Sequence, residues 1–361
     1  MSLFEPLTLG GLVLPNRIVM APLGRARGTP ASREPTGLVT QYYVQRASAG
    51  LLISEATHIS ADTVSRRGTT AIHTEGQVAA WRKVTDAVHE VGGRIFQQLF
   101  HLGRKADPGL LPAGSWPGAP SAIAARAEFA THQGPKPFPV PRALERDEIA
   151  RIVEAFSVAA ANARRAGFDG VEIHGANGYL IDQFLRDGAN QRHDRYGGEI
   201  EGRVRFLLEV VDAVTAHWPA DRVGVRLSPH PHPDGTLDAA PKRLSRHVAE
   251  RLAKRGLAYL HLVEPVATAP SERIAPIVRE AFAGPVIVCG GYDRASAQAV
   301  LAEGRADLVA FGAGFIANPD LVERLRRDAA WNAPDPSTFY SGGAAGYIDY
   351  PVLRPAPEVV S

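Results

Sequence analysis

Three side chains that can donate hydrogen bonds or protons lie within six consecutive residues, from His174 to Tyr179. His174 and Asn177 can both donate to one oxygen atom and so stabilise negative charge that develops on it. The hydroxyl of Tyr179 can supply a proton to a neighbouring atom. The alternative is that these residues only cap the loop and the following helix. We favour the catalytic interpretation because the group directly follows an apolar run, where enzymes built on parallel strands place their catalytic residues.

An amide and a guanidinium lie within two other apolar runs. Gln98 lies near the end of the run that precedes His101, and Arg226 lies in the sequence Val-Gly-Val-Arg-Leu. Burying an unpaired guanidinium is very costly, so Arg226 must meet a bound anion or a strongly polar ligand. The alternative partner is an inward carboxylate such as Glu55 or Glu172.

Glycines follow the last two apolar runs, at Gly290, Gly291 and Gly312. Bare backbone amides followed by a helix form the phosphate site of many barrels, although glycines at strand ends also occur simply as turns. No spacing of residues indicates a metal site. His230 and His232 lie in a proline-rich loop without a carboxylate at a recognised spacing, so we interpret them as solvated loop residues.

These residues belong to a unit that recurs eight times: a short apolar run, a loop and a stretch with helical periodicity. The apolar runs are Ile18–Leu23, Leu51–Ala56, Ile95–Phe100, Val171–His174, Val223–Leu227, Tyr259–Val263, Val286–Val288 and Leu308–Phe311. Helices are predicted over Gly76–Val91, Arg146–Ala166, Glu199–His217, Lys242–Arg255, Arg294–Glu303 and Pro319–Arg327.

Strands that are apolar on both faces and alternate with helices indicate a parallel sheet. No strand leads into a GxGxxG turn, so an open nucleotide-binding sheet is disfavoured. We therefore predict one (β/α)8 barrel over residues 1–361, an α/β fold with its site at the C-terminal mouth. Gly10–Pro15 is predicted to form a hairpin at the barrel floor. Residues 107–141 form a long excursion, interpreted as a substrate lid rather than a mobile linker, and residues 335–361 form a tail.

Composition and charge exclude several classes of protein. The chain has 361 residues, of which 45% are hydrophobic and 22% charged, as in an ordinary globular protein. The net charge is +2 with no basic run, so neither nucleic acid nor a membrane surface is expected as a partner. No targeting or membrane-spanning segment is recognised, which makes a cytoplasmic location the default, and the single Cys289 is predicted to be a small core residue.

The chain resembles the Old Yellow Enzyme family, the FMN-dependent ene-reductases, from Phe4 to about Pro351. Agreement over many separate segments makes this resemblance specific. The segments are Leu14–Arg17, Ala21–Leu23, Ser54–Ala56, Gln97–His101, His174–Phe184, Asn190–Gly198 and Ala317–Leu321.

The resemblance implies that NAD(P)H reduces a flavin lying across the barrel mouth, and that the flavin then gives hydride to the β-carbon of an activated alkene. His174 and Asn177 would hold the oxygen of that alkene, and Tyr179 would protonate its α-carbon. The expected flavin contacts are Gln98 and Arg226 at the pyrimidine edge, Ala21, Pro22, Leu23, Gly24 and Ala56 near the ring, and Gly290, Gly291, Gly312 and Ala313 near the phosphate. Expected substrate contacts are Arg66, Phe100 and Tyr347.

Several positions depart from the family pattern. Gly24 replaces a small polar residue that contacts the flavin carbonyl, and Ala313 replaces an arginine that pairs with the phosphate. Losing that bidentate contact predicts FMN affinity lowered roughly 10- to 1,000-fold. Arg66 replaces an aromatic lid residue, Phe100 replaces a tryptophan, and Gly202 stands in the usual Glu-Asn-Arg opening of a helix.

Two functions remain open from the sequence. One is the FMN-dependent ene-reductase, which needs the small-molecule alkene, FMN and NAD(P)H. The other is a redox-neutral isomerase or cyclase of a biosynthetic pathway, which would use the same donors without net electron transfer. A non-catalytic binding protein is disfavoured because it gives no reason to retain His174, Asn177 and Tyr179 together.

Overall fold

The structure is a computed structural model and describes residues 1–64, 66–131 and 134–353. Within them, eight strands run parallel, each paired with the next along the chain, and the eighth pairs with the first. The predicted (β/α)8 barrel is confirmed. The strands are β1 Ile18–Met20, β2 Leu51–Ile53, β3 Ile95–Phe100, β4 Gly170–Gly175, β5 Val223–Leu227, β6 Tyr259–Val263, β7 Val286–Cys289 and β8 Leu308–Phe311.

Helices surround this barrel. They are α1 Gly37–Val44, α2 Glu75–Glu90, α3 Arg146–Arg165, α4 Leu180–Leu185, α5 Ile200–Thr215, α6 Pro241–Ala253, α7 Ala275–Ala281, α8 Arg294–Ala302, α9 Ala313–Ala317 and α10 Leu321–Arg327. The helices predicted from periodicity are all found, with ends that differ by at most two residues. The shorter α1, α4, α7 and α9 were not predicted because one or two turns carry too little periodic signal.

Local sequence explains where the long helices begin and which face they bury. In α2 the side chain of Thr74 accepts from the backbone of Gln77 while the Gln77 side chain returns to the Thr74 backbone, which closes a capping box. In α3 the residues Ile149, Ile152 and Phe156 recur at helical spacing and are buried toward the barrel. No helix in the described part of the chain is both long and apolar enough to cross a membrane.

The barrel floor is closed by an antiparallel hairpin of Leu7–Leu9 and Leu12–Leu14, which begins three residues before the hairpin predicted over Gly10–Pro15. Its buried leucines pack with inward-facing residues of the strands, forming one apolar cluster. Alternate residues of a strand face the same side, so the cluster includes Phe96, Tyr259 and Ile287. The barrel is therefore filled near the floor and is not a pore.

Polar residues lie two positions further along the inward faces of the same strands. Gln98 follows Phe96 on β3, and His261 follows Tyr259 on β6. The register pairs Gln98 with Glu172, and pairs Arg226 with both His174 and His261. Strand alternation thus gathers polar groups into one layer at the mouth, where the site was expected.

Two further segments lie outside the barrel. The excursion contains a 3-10 turn at Pro108–Leu110, a short strand pair of Gly118–Ala119 with Arg142–Ala143, and a hairpin of Glu128–Thr131 with Gly134–Pro137. The C-terminal tail is held by Arg25 and Arg27, whose guanidinium groups donate to backbone carbonyls of Phe339 and neighbouring residues. Residues 354–361 of the predicted tail lie outside the described residues.

Candidate active site

A cavity of about 480 Å³ opens at the C-terminal mouth of the barrel. That volume is in the range of small-molecule and cofactor sites. The residues nominated from the sequence that line it are Pro22, Leu23, Gly24, Ala56, Arg66, Gln98, Phe100, His174, Asn177, Tyr179, Arg226 and Ala313. The structure therefore brings together residues that follow β1, β2, β4 and β8 with residues from within β3, β4 and β5.

Other nominated residues do not lie on the cavity wall. Ala21 is buried in the apolar interior of the barrel. Gly290, Gly291 and Gly312 follow β7 and β8 but do not line the cavity. Gly290 has a packing reason to be glycine, because a Cβ there would collide with the carbonyl oxygen of Glu264.

Tyr347, expected to contact the substrate, does not line this cavity. Its side chain is 1% exposed and stacks on Tyr42, with ring centroids 4.2 Å apart and planes 8° from parallel. It anchors the tail to the barrel instead. Phe339 and Tyr340 are the tail aromatics that reach the cavity, and residues 107–141 contribute none of the described wall. The roof over the site thus comes from the tail rather than from the excursion.

Several wall residues were not nominated from the sequence: Arg25, Ala26, Glu55, Thr69, Ile316, Phe339 and Tyr340. Glu55 could have been found, because it ends an apolar run between Ser54 and Ala56 and so belongs at the mouth. Nothing in the local sequence distinguishes Tyr340 from the other tail aromatics.

His174 carries a proton on the ring nitrogen that faces away from its own loop. The backbone N–H of Ala176 donates to Nδ1 of His174 at 3.2 Å, so Nδ1 is an acceptor and the neutral ring is protonated on Nε2. Burial holds the pKa of His174 well below its usual value, and the charges of Arg226 and His261 lower it further. A neutral donor at the cavity wall is therefore available at neutral pH.

Asn177 is held by its backbone, which leaves its side chain free. Its N–H donates to Oγ of Ser228 at 2.8 Å, and its carbonyl accepts from Nζ of Lys105 at 2.9 Å. The residue has φ +59°, a left-handed conformation that asparagine tolerates better than most residues. The amide group makes no hydrogen bond to another described residue, so it can donate to a ligand beside His174.

Tyr179 lies against two rings of the same wall. Its ring meets His174 edge-on with centroids 5.0 Å apart and Phe100 edge-on at 5.4 Å. Burial raises the pKa of Tyr179, and Tyr340 raises it further. The phenol therefore keeps its proton at neutral pH, and no described residue forms a hydrogen bond with its hydroxyl.

A buried ion pair fixes the loop that carries these groups. Lys105 pairs with Asp234, and its Nζ lies 5.1 Å from the ring centroid of Tyr179. Gly178 sits directly against the pair, since a Cβ there would collide with Asp234 and approach Nζ of Lys105 to 2.8 Å. The glycine at this position thus lets the ion pair lie under the Asn177–Tyr179 loop.

Gln98 and Arg226 approach the cavity from β3 and β5, the two strands that flank β4. Nε2 of Gln98 donates to Glu172 at 2.7 Å, which leaves the amide oxygen of Gln98 free. Nδ1 of His261 donates to the other oxygen of Glu172 at 2.8 Å. Burial would raise the pKa of Glu172, but His261, Arg226 and Gln98 hold it below its usual value. Glu172 is thereby an ionised carboxylate that orients the amide.

Arg226 is not neutralised by a carboxylate. Within the described residues its guanidinium forms no ion pair, its Nε is buried without a partner, and Nη2 lies 4.0 Å from Sγ of Cys289. Neither alternative partner, Glu55 or Glu172, pairs with it directly. Cys289, predicted to be a small core residue, is partly buried and packs against the apolar interior of the barrel.

Glu55 is a second group on the cavity wall, besides Tyr179, that can carry an acidic proton. Burial raises the pKa of Glu55 to about 7, although Arg25 acts to lower it. Its Oε2 accepts from the backbone N–H of Arg25 at 3.4 Å, and its Oε1 is buried without a hydrogen-bond partner of normal geometry. The carboxyl therefore changes charge near neutral pH.

Comparisons with known proteins agree with this geometry. Residues 2–332 match the model of the NADH:flavin oxidoreductase / NADH oxidase family. The chain is 42% identical to a probable flavin mononucleotide-dependent alkene reductase of Leishmania infantum, over 97% of each protein. It is 42% identical to 12-oxophytodienoate reductase 2 of Arabidopsis thaliana, over 98% of this chain and 96% of that one.

Solved structures give the same relationship. Morphinone reductase, solved in complex with tetrahydroNAD, superposes with a TM-score of 0.93 at 50% identity, covering 98% of each chain. The Old Yellow Enzyme homologue of Zymomonas mobilis superposes with a TM-score of 0.93 at 42% identity, covering 98% of this chain and all of that one. The fold and the sequence match those of these relatives over nearly the whole length. The chain therefore belongs to the NADH:flavin oxidoreductase / NADH oxidase family, the Old Yellow Enzyme family.

Proposed function

We propose that the protein is an FMN-dependent ene-reductase that reduces an activated C=C bond with NAD(P)H. The observation that carries this proposal is the meeting of two sets of groups in one cavity. Gln98 and Arg226 come from one layer of the barrel, and His174, Asn177 and Tyr179 carry free donors beside them. The first set suits a planar polar cofactor, and the second suits an oxygen that becomes negative.

The wall residues fit FMN. The pyrimidine edge of a flavin has an N–H donor between carbonyl oxygens, which match the free amide oxygen of Gln98 and the unpaired guanidinium of Arg226. Pro22, Leu23 and Ala56 offer apolar surface for the ring. Gly24 leaves open space, because no atom lies within 4 Å of the position of a Cβ. When bound, FMN would supply hydride transfer from NAD(P)H to the β-carbon of the alkene.

The chain then has two tasks. Nε2–H of His174 and the amide of Asn177 donate to the carbonyl or nitro oxygen of the alkene, where charge develops as hydride reaches the β-carbon. Tyr179 gives its phenolic proton to the α-carbon and is reprotonated from solvent. Because His174 is neutral at neutral pH, it acts as a hydrogen-bond donor without transferring its own proton.

The phosphate contacts are the weaker part of this fit. Ala313 lines the cavity and has no side chain that can reach an anion. Gly290, Gly291 and Gly312 offer only backbone amides, so we propose that the phosphate is bound there with lower affinity than an arginine would give.

Anaerobic half-reactions with the purified protein and added FMN test this function. We expect NADPH or NADH to bleach the flavin absorbance and 2-cyclohexenone to restore it, with cyclohexanone as product. In D2O the deuterium derived from solvent should appear at the α-carbon. If neither NADPH nor NADH bleached the bound flavin, the proposal would be contradicted. Conversion of an enone by colourless, FMN-free protein would favour the redox-neutral isomerase or cyclase instead.

A further inference from the structure

A second pocket, of about 240 Å³, lies beside the active-site cavity. Arg66 lines both, so the two spaces are neighbours across one side chain. The second pocket is built by the loop after β1, the loop after β2 and the first turn of the excursion. The residues that line it are Pro30, Arg33, Val64, Arg66, Arg67, Gly109, Leu110 and Leu111.

The three arginines of this pocket have no anionic partner within the described residues. No ion pair among the described residues includes Arg33, Arg66 or Arg67, although other buried arginines of the protein are paired. Their guanidinium groups also donate no hydrogen bond to any residue that the structure describes, in contrast to Arg27, which donates to carbonyls of the tail. Three charges of one sign thus line one pocket without compensation.

For Arg33, the lack of a protein partner is not explained by hydrogen bonding to water. Its Nη1 is buried and has no hydrogen-bond partner. Burial lowers the pKa of Arg33, so the protein pays free energy to keep a charged group there. A guanidinium nitrogen that is removed from water normally meets an acceptor, and here the protein supplies none.

Two of the three arginines, Arg33 and Arg66, are also held in place. Arg33 has φ +56°, and its N–H donates to the carbonyl of Thr29 while its own carbonyl accepts from Ala71, both at 3.0 Å. The guanidinium of Arg66 lies 4.0 Å from the ring centroid of Tyr340. Such a fixed backbone and a stacked guanidinium reduce the entropy lost when a ligand binds.

The nearby polar groups leave the charge of the pocket in place. Asp107 accepts from the backbone of Gly109 at 2.9 Å rather than from an arginine. The imidazoles of His58 and His73 lie near Arg33, and burial together with Arg33 lowers the pKa of each. They are therefore neutral at neutral pH and leave the charge of the three arginines unchanged.

We propose that Arg33, Arg66 and Arg67 form a binding site for a phosphate group on a ligand that extends out of the active-site cavity. A phosphate offers several acceptor oxygens and up to two negative charges, which match the forked donors of arginine. Two ligands could bring it: NADPH through its 2′-phosphate, or a phosphorylated substrate. The identity of that ligand rests on the proposed function, whereas the phosphate site itself does not.

Binding of inorganic pyrophosphate, measured by isothermal titration calorimetry, tests the site without turnover. We expect the double variant Arg33→Met/Arg67→Met to bind pyrophosphate at least roughly tenfold more weakly, because charge-assisted hydrogen bonds are lost. Arg243→Met is the matched control, since Arg243 is an exposed arginine of α6 without an ion pair. Equal affinity of the double variant and the unmodified protein would overturn the proposal.

A lysine variant separates loss of the site from loss of folding. Arg33→Lys/Arg67→Lys keeps both charges but removes the forks, so its affinity for pyrophosphate should lie between those of the other two proteins. Affinity of the lysine variant as low as that of the methionine variant, with both folded by circular dichroism, would contradict recognition of the anion by charge.

The source of the phosphate is decided by KM values. If NADPH supplies it, Arg33→Met/Arg67→Met raises the KM for NADPH roughly tenfold and leaves the KM for NADH unchanged. If both KM values stay unchanged while pyrophosphate binding is lost, the phosphate belongs to the substrate, and the site still stands. A protein that oxidises neither nicotinamide would refute the proposed ene-reductase, and the pyrophosphate titration would still decide the phosphate site.

Discussion

The two sides of the active-site cavity are built differently. The donor wall comes from β3, β4, β5 and the loop after β4, and consists of Gln98, Phe100, His174, Asn177, Tyr179 and Arg226. The opposite wall comes from the loops after β1, β2 and β8 and from the tail. It includes Gly24, Arg25, Glu55, Ala56, Arg66, Ala313, Phe339 and Tyr340.

Groups on the donor wall are fixed by buried partners behind them. Glu172 orients the amide of Gln98, and Lys105 with Ser228 holds the backbone of Asn177. On the opposite wall, Gly24 and Ala313 have no side chain that could hold a cofactor, and Tyr340 is 52% exposed. The difference teaches that the hydrogen-bond donors are held rigidly by buried partners, whereas the opposite wall carries small residues at Gly24 and Ala313.

The largest effect is expected on the donor wall, from Tyr179→Phe. Removing the proton donor should slow reoxidation of the reduced enzyme by an alkene roughly 10²- to 10⁴-fold. Reduction by NAD(P)H needs no such proton and should stay within about twofold. Stopped-flow absorbance separates the two half-reactions, and equal slowing of both would contradict the assigned role. Tyr340→Phe on the opposite wall is the matched control.

The next largest effect is expected on the stability of the protein, from the buried Lys105–Asp234 pair behind the donor wall. Asp234→Asn leaves Lys105 buried without its partner, and breaking a buried pair in this way typically destabilises a protein by about 3–5 kcal/mol. Chemical denaturation measures the free energy of unfolding. Asp212→Asn is the control, because Asp212 forms an exposed pair with Arg255 and should lose less than about 1 kcal/mol. Similar losses in the two variants would argue against a buried clamp.

On the opposite wall, Glu55 makes stability depend on pH. Its folded pKa of about 7 lies above the ordinary value of 4.5, so the folded protein binds this proton more tightly than the unfolded chain does. This contribution to stability is complete below pH 4.5 and is lost as the pH rises through 7. Between pH 5 and pH 8 the unmodified protein should lose about 2–3 kcal/mol more than Glu55→Gln. Parallel pH profiles of the two proteins would contradict a protonated Glu55.

The smallest effect is expected where the opposite wall should hold phosphate. Ala313→Arg restores a forked donor beside the cavity and should tighten FMN binding roughly tenfold. Quenching of flavin fluorescence measures the Kd. Ala313→Met adds comparable length without charge and should give no gain. If methionine tightened binding as much as arginine, the missing contact would be packing rather than charge.

Much of the donor wall could be read from local patterns. Apolar runs located all eight strands, and parallel strands in a barrel direct their carboxyl ends to one mouth, so Gln98, His174 and Arg226 had to meet there. The period of two along each strand also placed Gln98 and Arg226 on the inward face.

The opposite wall could not be read in this way. Tyr340, rather than Tyr347, reaches the cavity because Arg25 and Arg27 bond to tail carbonyls more than 300 residues away in sequence. The same limit applies to the pocket of Arg33, which joins three loops that have no common periodicity.

The sequence alone determined the barrel, the position of its mouth and the identity of the donors, because hydrophobic periodicity and strand direction are local properties that repeat along the chain. The tertiary structure alone decided which tail aromatic covers the site, how Glu55 titrates and where arginines are left without partners. Those properties depend on burial and on contacts between distant segments, and both exist only after the chain has closed on itself.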